Sequence, residues 1–301
     1  MLSSIRSTMR GVLQRNPVLL RAYGQLRESM ELLPRRWRYR RQQERELSEE
    51  ARAILATLRR DGIVILGGFV PPDAVGEMRG VVDDAIRRGR FRYDGGRIAL
   101  EAPPPDVNGI ARLSVLDATL YSRRFVEYAL NDLLVSVANS YVGLECFLSG
   151  IMAYRTQPVT GVPGGAFLWH YDNTPRQVKA ICYLTEVAED DGPLAFVKGS
   201  HRLRAVAPTF EETRLADAQV PAEGRILCVG KPGTVLFVDT SGIHRATPNR
   251  RSHRDVVSAI YDVGTRARRA SFYNLPVPSQ FITQLRPEQR RALRLPEHVG
   301  W

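Results

Sequence analysis

The sequence of 301 residues has little lysine, few cysteines and no long apolar run. Only three of its 43 basic residues are lysines. Such one-sided use of arginine is more typical of codon bias than of selection for phosphate contacts. It therefore weakens the nucleic-acid interpretation that a net charge of +11 invites, and no zinc-finger or helix-turn-helix pattern supports that interpretation. No apolar run approaches the ~18 residues that a membrane-spanning helix needs, so we expect no transmembrane segment.

The three cysteines, Cys146, Cys182 and Cys228, are far apart and form no C-x-x-C pair. Their odd number and wide spacing suggest neither a disulfide framework nor a thiolate zinc site. An apolar secretory signal region is also missing, so we expect a protein of the reducing cytoplasm. The alternative is a mitochondrial presequence over residues 1–27, which contain five arginines and no acid.

The positive charge is concentrated near the start of the chain. Residues 1–45 hold eleven arginines against three glutamates, a balance of +8 out of +11. We interpret residues 1–45 as a basic N-terminal arm and residues 46–301 as one domain. A solvated charged face is the simplest role for the arm, and contact with a membrane surface or an anionic partner is the alternative.

The rest of the chain changes from helical spacing to short β-branched and aromatic runs. Ser48 can cap a helix that ends at Gly62, helical spacing continues over 71–89 and 124–142, and a last helix follows Pro287. Strands are predicted at 146–156, 167–173, 177–187, 194–200, 226–229, 233–239, 243–247 and 254–263. Short strands at this spacing indicate a sandwich or barrel. We therefore predict an α+β fold with helices before a β core at about 145–265.

One predicted strand, in "FLWHYDN", carries two polar residues two positions apart. Side chains alternate along a strand, so Leu168, His170 and Asp172 should share one face and Phe167 should lie on the other. His244 follows a second predicted strand, after the break at 241–242. Two histidines and one carboxylate form the facial triad that binds Fe(II) and leaves positions open for O₂ and a chelating co-substrate. Zinc could bind the same ligands, but a thiolate-free set with open positions favours iron.

An arginine begins the next predicted strand, ten residues after His244. Arg254 shares its strand face with Val256 and Ser258, and its guanidinium can bind a carboxylate through two hydrogen bonds. Arg250 and Arg251 compete for this role, but they lie in a predicted turn. The alternation of side chains along the predicted strand therefore favours Arg254 as the arginine that binds the carboxylate.

Residues 52–265 resemble the phytanoyl-CoA dioxygenase-like family of Fe(II)/2-oxoglutarate-dependent oxygenases. The resemblance is carried by "RRDGIVILGGFV", by "WHYDN" with the following "KAICYLTEVAEDDGPLAFVKGSHR", and by "GIHRATPNRRSHR". The middle stretch is the most specific, because a strand, an acidic turn, a second strand and Gly-Ser-His recur in that order in the family.

The resemblance implies a double-stranded β-helix, also called a jelly roll. It implies that His170, Asp172 and His244 ligate Fe(II) and act in catalysis, and that Arg254 pairs with the distal carboxylate of 2-oxoglutarate. Such enzymes decarboxylate the oxoacid with O₂ and oxidise a substrate C–H bond, usually to an alcohol. Related halogenases carry a small residue in place of the carboxylate ligand, so Asp172 favours hydroxylation or desaturation.

The sequence departs from the family pattern at one co-substrate position. Many members carry a hydroxyl residue two positions after the distal histidine, where this chain has Ala246. Thr247 and Ser258 are the candidates to supply that hydroxyl group.

The expected substrate is a small molecule, a specialised metabolite or a lipid-like compound. Residues 90–121 and 203–225 are expected to line its pocket, because such loops carry specificity. Two alternatives to a 2-oxoglutarate-dependent hydroxylase stay open at this point: a cupin-like metal enzyme that does not use 2-oxoglutarate, and a non-catalytic ligand-binding β-helix protein.

Overall fold

The structure, a computed structural model, describes residues 47–93, 112–158, 165–172, 177–202, 213–263 and 275–293, with five residues between 30 and 39. The candidate presequence over 1–27 lies outside the described residues, as does most of the predicted arm. Parts of both expected pocket loops, 94–111 and 203–212, also lie outside them. Within the described part of the chain, no helix is long and apolar enough to cross a membrane.

Helix α1 (Glu49–Asp61) begins and ends where the sequence predicts. The Ser48 hydroxyl accepts the N–H of Ala51 at 3.1 Å, which caps the first turn. Gly62 ends the helix with φ +80°, a conformation that favours glycine. A Cβ at this position would lie only 2.4 Å from Nδ1 of His201, so space as well as backbone geometry requires glycine.

The other helices follow the predicted spacing, with one difference. Helix α2 spans Pro72–Arg87. The predicted stretch 124–142 forms two helices, α3 (Arg124–Ala129) and α4 (Asp132–Val142). The break arises because the side chain of Asn131 accepts the N–H of Leu133 and caps a new helix. Two short helices, α5 (Ser279–Ile282) and α6 (Pro287–Ala292), complete the described chain.

The described residues contain twelve strands in two sheets, and each pair of neighbouring strands among them is antiparallel. The first sheet has the order β1 (Ile63–Leu66), β10 (Val235–Val238), β6 (Val178–Tyr183), β12 (Arg254–Asp262), β4 (Phe147–Thr156), β3 (Arg112–Val115), β2 (Phe91–Tyr93). The second has the order β8 (Arg214–Leu215), β5 (Trp169–His170), β11 (His244–Ala246), β7 (Leu194–Val197), β9 (Arg225–Cys228). The result is a mixed architecture of helices and antiparallel sheets.

The central strands of the larger sheet are buried on both faces. Alternate residues of β6 and β12, such as Ala180 and Val257, join the core formed with helices α1 to α4. The intervening residues, such as Tyr183 and Val256, pack with Phe196 of the smaller sheet. The sequence alternation therefore gives each central strand one helix-facing and one sheet-facing side.

Several boundaries predicted for the β core are wrong. The strand expected over 177–187 is β6, which ends four residues earlier, at Tyr183. The strand expected over 167–173 is only the two-residue β5, preceded by a 3₁₀ turn, Gly165–Phe167. The strand expected over 194–200 ends at Val197, because the Ser200 hydroxyl donates to the carbonyl of Val197 and turns the chain. The sheet also extends before the predicted core at 145, since β1, β2 and β3 pair into it.

Candidate metal centre

His170 and His244 face each other across two neighbouring strands. They are register partners of β5 and β11, and their ring centroids lie 4.2 Å apart. Nδ1 of His170 lies 2.8 Å from the carbonyl oxygen of Leu168, and Nδ1 of His244 lies 2.9 Å from that of Gly242. A carbonyl oxygen can only accept, so each Nδ1 carries the hydrogen and each Nε2 keeps its lone pair.

Both imidazoles are held in the neutral form. Burial, followed by the proximity of His244, lowers the pKa of His170 from 6.5 to about 3. Burial also lowers the pKa of His244, although the Asp172 carboxylate opposes this effect. Neutral imidazole is the form that binds a metal ion, so both side chains are available as ligands at neutral pH.

Asp172 lies beside these rings, just after β5. Its backbone N–H donates to the carbonyl of Thr240 at 2.7 Å, and its Oδ2 lies 2.6 Å from Nζ of Lys179. Burial by itself would raise the pKa of Asp172, but the charge and the hydrogen bond of Lys179 outweigh it and hold this pKa well below its usual range. The carboxyl group is therefore ionised at neutral pH.

The three side chains can together hold a metal ion. One ligand atom from each of His170, Asp172 and His244 lies within 4.8 Å of the others. Asp83, His253 and Asp255 form a second such group among the described residues. There, however, the Arg155 guanidinium lies 2.5 Å from the Asp83 carboxylate and 2.7 Å from that of Asp255, so a cation already occupies the position.

The first group lines a cavity of about 260 Å³ that also contains Arg254 and Ser258. Arg254 is 8% exposed and its Nη2 lies 3.5 Å from the Thr156 hydroxyl. Within the described residues, neither Nε of Arg254 nor the hydroxyl oxygen of Ser258 has a hydrogen-bond partner. Buried donors without partners are costly, so the cavity is suited to a ligand with acceptor oxygens such as a carboxylate.

The other residues predicted to bind the co-substrate do not line this cavity. Thr247 is absent from the cavity lining, and its hydroxyl donates to the carbonyl of Pro193 at 2.7 Å. Arg250 and Arg251 are exposed, and Arg251 lies 3.5 Å from Asp191. Of the three competing arginines, Arg254 is the one that lines the cavity.

The alternation argument for "FLWHYDN" fails in detail. Leu168, expected on the face of His170, is 44% exposed. Phe167, expected on the opposite face, lines the cavity with His170 because the chain turns before β5. Asp172 reaches the histidines through its backbone bond to Thr240 and not through continued strand pairing.

Two further cavity residues lie on strands beside the predicted site. The guanidinium of Arg112 stacks on the ring of Tyr154, 3.8 Å from its centroid. Arg112 lies on β3, within residues 90–121, where the sequence predicts neither a helix nor a strand. Tyr154 is the register partner of Val256, and register partners lie on the same face of a sheet. Side-chain alternation along the two strands could therefore have placed Tyr154 in the cavity.

Comparisons with known proteins bear on the family and the fold. A family model described as phytanoyl-CoA dioxygenase matches residues 58–255, whereas a search of curated proteins gave no significant match.

Three solved structures are similar in fold. The non-heme α-ketoglutarate-dependent epimerase SnoN from nogalamycin biosynthesis has 19% identity and a TM-score of 0.54, over 70% of this chain and 82% of that one. The carbocyclase SnoK from the same biosynthesis has 18% identity and a TM-score of 0.53, over 80% and 92%. HygX from Streptomyces hygroscopicus, with nickel, 2-oxoglutarate and hygromycin B bound, has 18% identity and a TM-score of 0.51, over 72% and 87%.

The family match covers well over half of the chain and includes both histidine motifs, as the resemblance predicts. This chain therefore belongs to the phytanoyl-CoA dioxygenase family, whose members are enzymes that depend on Fe(II) and 2-oxoglutarate and use O₂.

Proposed function

We propose that this protein is an Fe(II)- and 2-oxoglutarate-dependent dioxygenase that hydroxylates a small-molecule substrate, and that its two sheets form a double-stranded β-helix. The observation that carries the proposal is the meeting, in one cavity, of two neutral imidazoles, one ionised carboxylate and one buried arginine. The membership in an iron- and 2-oxoglutarate-dependent family supports it.

His170, Asp172 and His244 would hold the iron. Two nitrogen ligands and one carboxylate, with no thiolate, suit Fe(II) and leave three coordination positions for other ligands. Bound iron supplies the activation of O₂ that couples decarboxylation of the oxoacid to oxidation of a C–H bond. The backbone carbonyls of Leu168 and Gly242 contribute by fixing the tautomer and the direction of each ring.

Arg254 would bind the distal carboxylate of 2-oxoglutarate. Its Nε can donate to one carboxylate oxygen, and the Ser258 hydroxyl, on the same face of β12, can donate to the same group. We assign the hydroxyl contact to Ser258 and not to Thr247, because the Thr247 hydroxyl already donates to Pro193.

The substrate would occupy the part of the cavity near Phe167, Met152 and Tyr154. Apolar and aromatic walls with a few polar groups are typical of sites for small organic molecules. The structures of SnoN with nogalamycin RO and of HygX with hygromycin B show natural products bound to proteins of this fold. We therefore favour a specialised metabolite as the substrate class.

An anaerobic titration tests the proposed site directly. Adding Fe(II) and then 2-oxoglutarate to the metal-free protein should produce the weak visible charge-transfer band of an iron-chelated oxoacid. His170→Ala should abolish the band because it removes one of the iron ligands. His253→Ala, a histidine outside the cavity lining, should retain it. Iron binding without the band would instead indicate a metal enzyme that does not use 2-oxoglutarate, and no metal binding would indicate a ligand-binding protein.

Lys179→Met should destabilise the metal-free protein. The Asp172 carboxylate would lose its ion-pair partner, and because both side chains are partly exposed, at 20% and 25%, we expect a loss of about 1–2 kcal/mol in the free energy of unfolding at pH 7. The pair holds the pKa of Asp172 below its usual 3.8, so it stabilises the fold above that pH and the deficit should shrink as the pH falls below it.

Urea unfolding with and without Co(II) measures this effect. Bound metal replaces Lys179 as the counter-charge of Asp172, so saturating Co(II) should narrow the gap between variant and wild type. Lys198→Met is the matched control, since Lys198 is 45% exposed and lies 3.7 Å from Asp61. A deficit of equal size with and without metal would contradict a shared role of Lys179 and the metal at Asp172.

A further inference from the structure

Trp169 and Arg245 are sequence neighbours of the two candidate histidine ligands, and they lie on the other face of the smaller sheet. Trp169 precedes His170 on β5, and Arg245 follows His244 on β11. Neither Trp169 nor Arg245 lines the cavity. Because the two histidines are antiparallel register partners, Trp169 and Arg245 are opposite each other one position further along. The two strands therefore meet once at the ligands and once behind them.

The Trp169 ring is held by charged side chains from two other strands and one turn. The guanidinium of Arg245 lies 4.5 Å from the ring centroid, and that of Arg225, on β9, lies 5.3 Å from it. The indole Nε1–H donates to Oδ1 of Asp217 at 2.6 Å, and Nη1 of Arg245 donates to the same oxygen at 3.4 Å. Tryptophan is the aromatic ring that attracts such cations most strongly. We call Trp169, Asp217, Arg225 and Arg245 the Trp169 cluster.

The indole ring is buried although it lies outside the cavity. Trp169 is only 3% exposed and packs in an apolar cluster with Ala195, Val197, Val220 and Ile243. A large ring in such close packing cannot shift without disturbing its neighbours. Packing and polar contacts together therefore fix Trp169, and with it the backbone of β5 next to the first ligand.

The bonds already described for the two imidazoles do not set the distance between them. Each Nδ1 bonds to a carbonyl two residues earlier in its own segment. Those bonds orient the rings, but they do not join one segment to the other. The contact between Trp169 and Arg245 does join β5 to β11. Metal ligands have to be held within about 0.5 Å of their productive positions, so a contact of this kind bears directly on metal binding.

We propose that the Trp169 cluster sets the separation of His170 and His244, so that Trp169 and Arg245 are positioning residues of the metal centre. The inference rests on the proposed metal site and extends it to the face of the smaller sheet opposite the cavity. Metal affinity then depends on side chains that do not touch the metal.

Co(II) binding to the metal-free full chain tests the proposal, followed by calorimetry and by the visible d–d bands, which report the coordination geometry. Arg245→Met should weaken Co(II) binding at least about 10-fold and alter the bands, as is usual when a group that orients a metal ligand is lost. Charge alone predicts the opposite sign, because removing a cation near a metal site should tighten binding. Trp169→Leu should act like Arg245→Met, and Trp169→Phe, which keeps an aromatic ring beside Arg245, should lose less affinity.

Val220→Ala is the matched control. Val220 is 5% exposed in the same apolar cluster, so its truncation costs packing, but it is not next to a ligand in the sequence. This variant should unfold at a lower urea concentration and yet keep the wild-type Co(II) affinity and spectrum. Arg245 is 32% exposed, so Arg245→Met keeps the test decisive even if Trp169→Leu does not fold.

Two results would overturn the inference. One is wild-type Co(II) affinity and spectrum in folded Arg245→Met, and the other is an equal loss of affinity in Val220→Ala, which would reduce the effect to general destabilisation. A wild-type protein that does not bind Co(II) would overturn the proposed metal site as well. Unaffected variants of a wild type that binds the metal would overturn the positioning role alone.

Discussion

Asp172→Ala is expected to reduce 2-oxoglutarate-dependent succinate formation by more than about 100-fold. Changes to groups that only support a metal ligand already cost about 10- to 100-fold, and this change removes the carboxylate ligand itself. It also leaves the Lys179 ammonium, 2.6 Å from Asp172 in the wild type, without its counter-charge beside the metal position. Succinate release in the presence of Fe(II), ascorbate and O₂ measures the effect.

The control for this variant is Asp190→Ala. Asp190 is exposed in the turn before β7 and lies outside the cavity lining, so its loss should leave the rate unchanged. Circular dichroism of both variants checks that they are folded. Undiminished iron-dependent succinate formation by folded Asp172→Ala would show that the assigned ligand set is wrong.

The second large effect is expected at Arg254, on the binding of 2-oxoglutarate and not on the binding of the metal. Arg254→Met should raise the KM for 2-oxoglutarate on the order of 100-fold, because charge-assisted hydrogen bonds to a buried carboxylate are each worth about 1.5–3 kcal/mol. Binding of Fe(II) should be spared, since Arg254 is not part of the ligand group. Steady-state kinetics at varied 2-oxoglutarate and anaerobic Fe(II) calorimetry separate the two effects.

Arg251→Met serves as the matched control. Arg251 lies in the turn just before β12 and its side chain is 64% exposed, so its removal should not change the KM for 2-oxoglutarate. An equal rise in KM for both variants would point to a general effect of positive charge. A loss of Fe(II) affinity in Arg254→Met would instead indicate that the variant disturbs the metal ligands through the cavity wall.

Long central strands could be predicted well from the sequence. β12 spans nine residues and is paired on both sides, so alternation correctly places Arg254, Val256 and Ser258 on the cavity face. β5 has only two residues, and a pattern of period two carries no reliable information over that length. The predicted face of Phe167 was wrong for this reason.

The members of the candidate site that could be predicted are those with both a suitable side-chain type and a recognisable position on a strand. The structure brings His170, Asp172, His244 and Arg254 to one cavity although they are separated by up to 84 positions in the sequence. It does not bring Thr247 there, since the Thr247 hydroxyl donates to the carbonyl of Pro193, just before the strand that pairs with β11. Arg112 could not be predicted, because a four-residue strand in a Gly/Pro-rich stretch leaves no periodic signal.

The pairing of His170 with His244 has a consequence for the smaller sheet. These residues face each other on strands of two and three residues, which share a single pair of register partners. So short a ladder contributes little cohesion of its own, and a metal bound to both rings would act as a cross-link between the two strands. The pairing of β5 with β11 would then be more stable when iron is bound. The metal-free enzyme would have a lower free energy of local unfolding at these two strands than the metal-loaded enzyme.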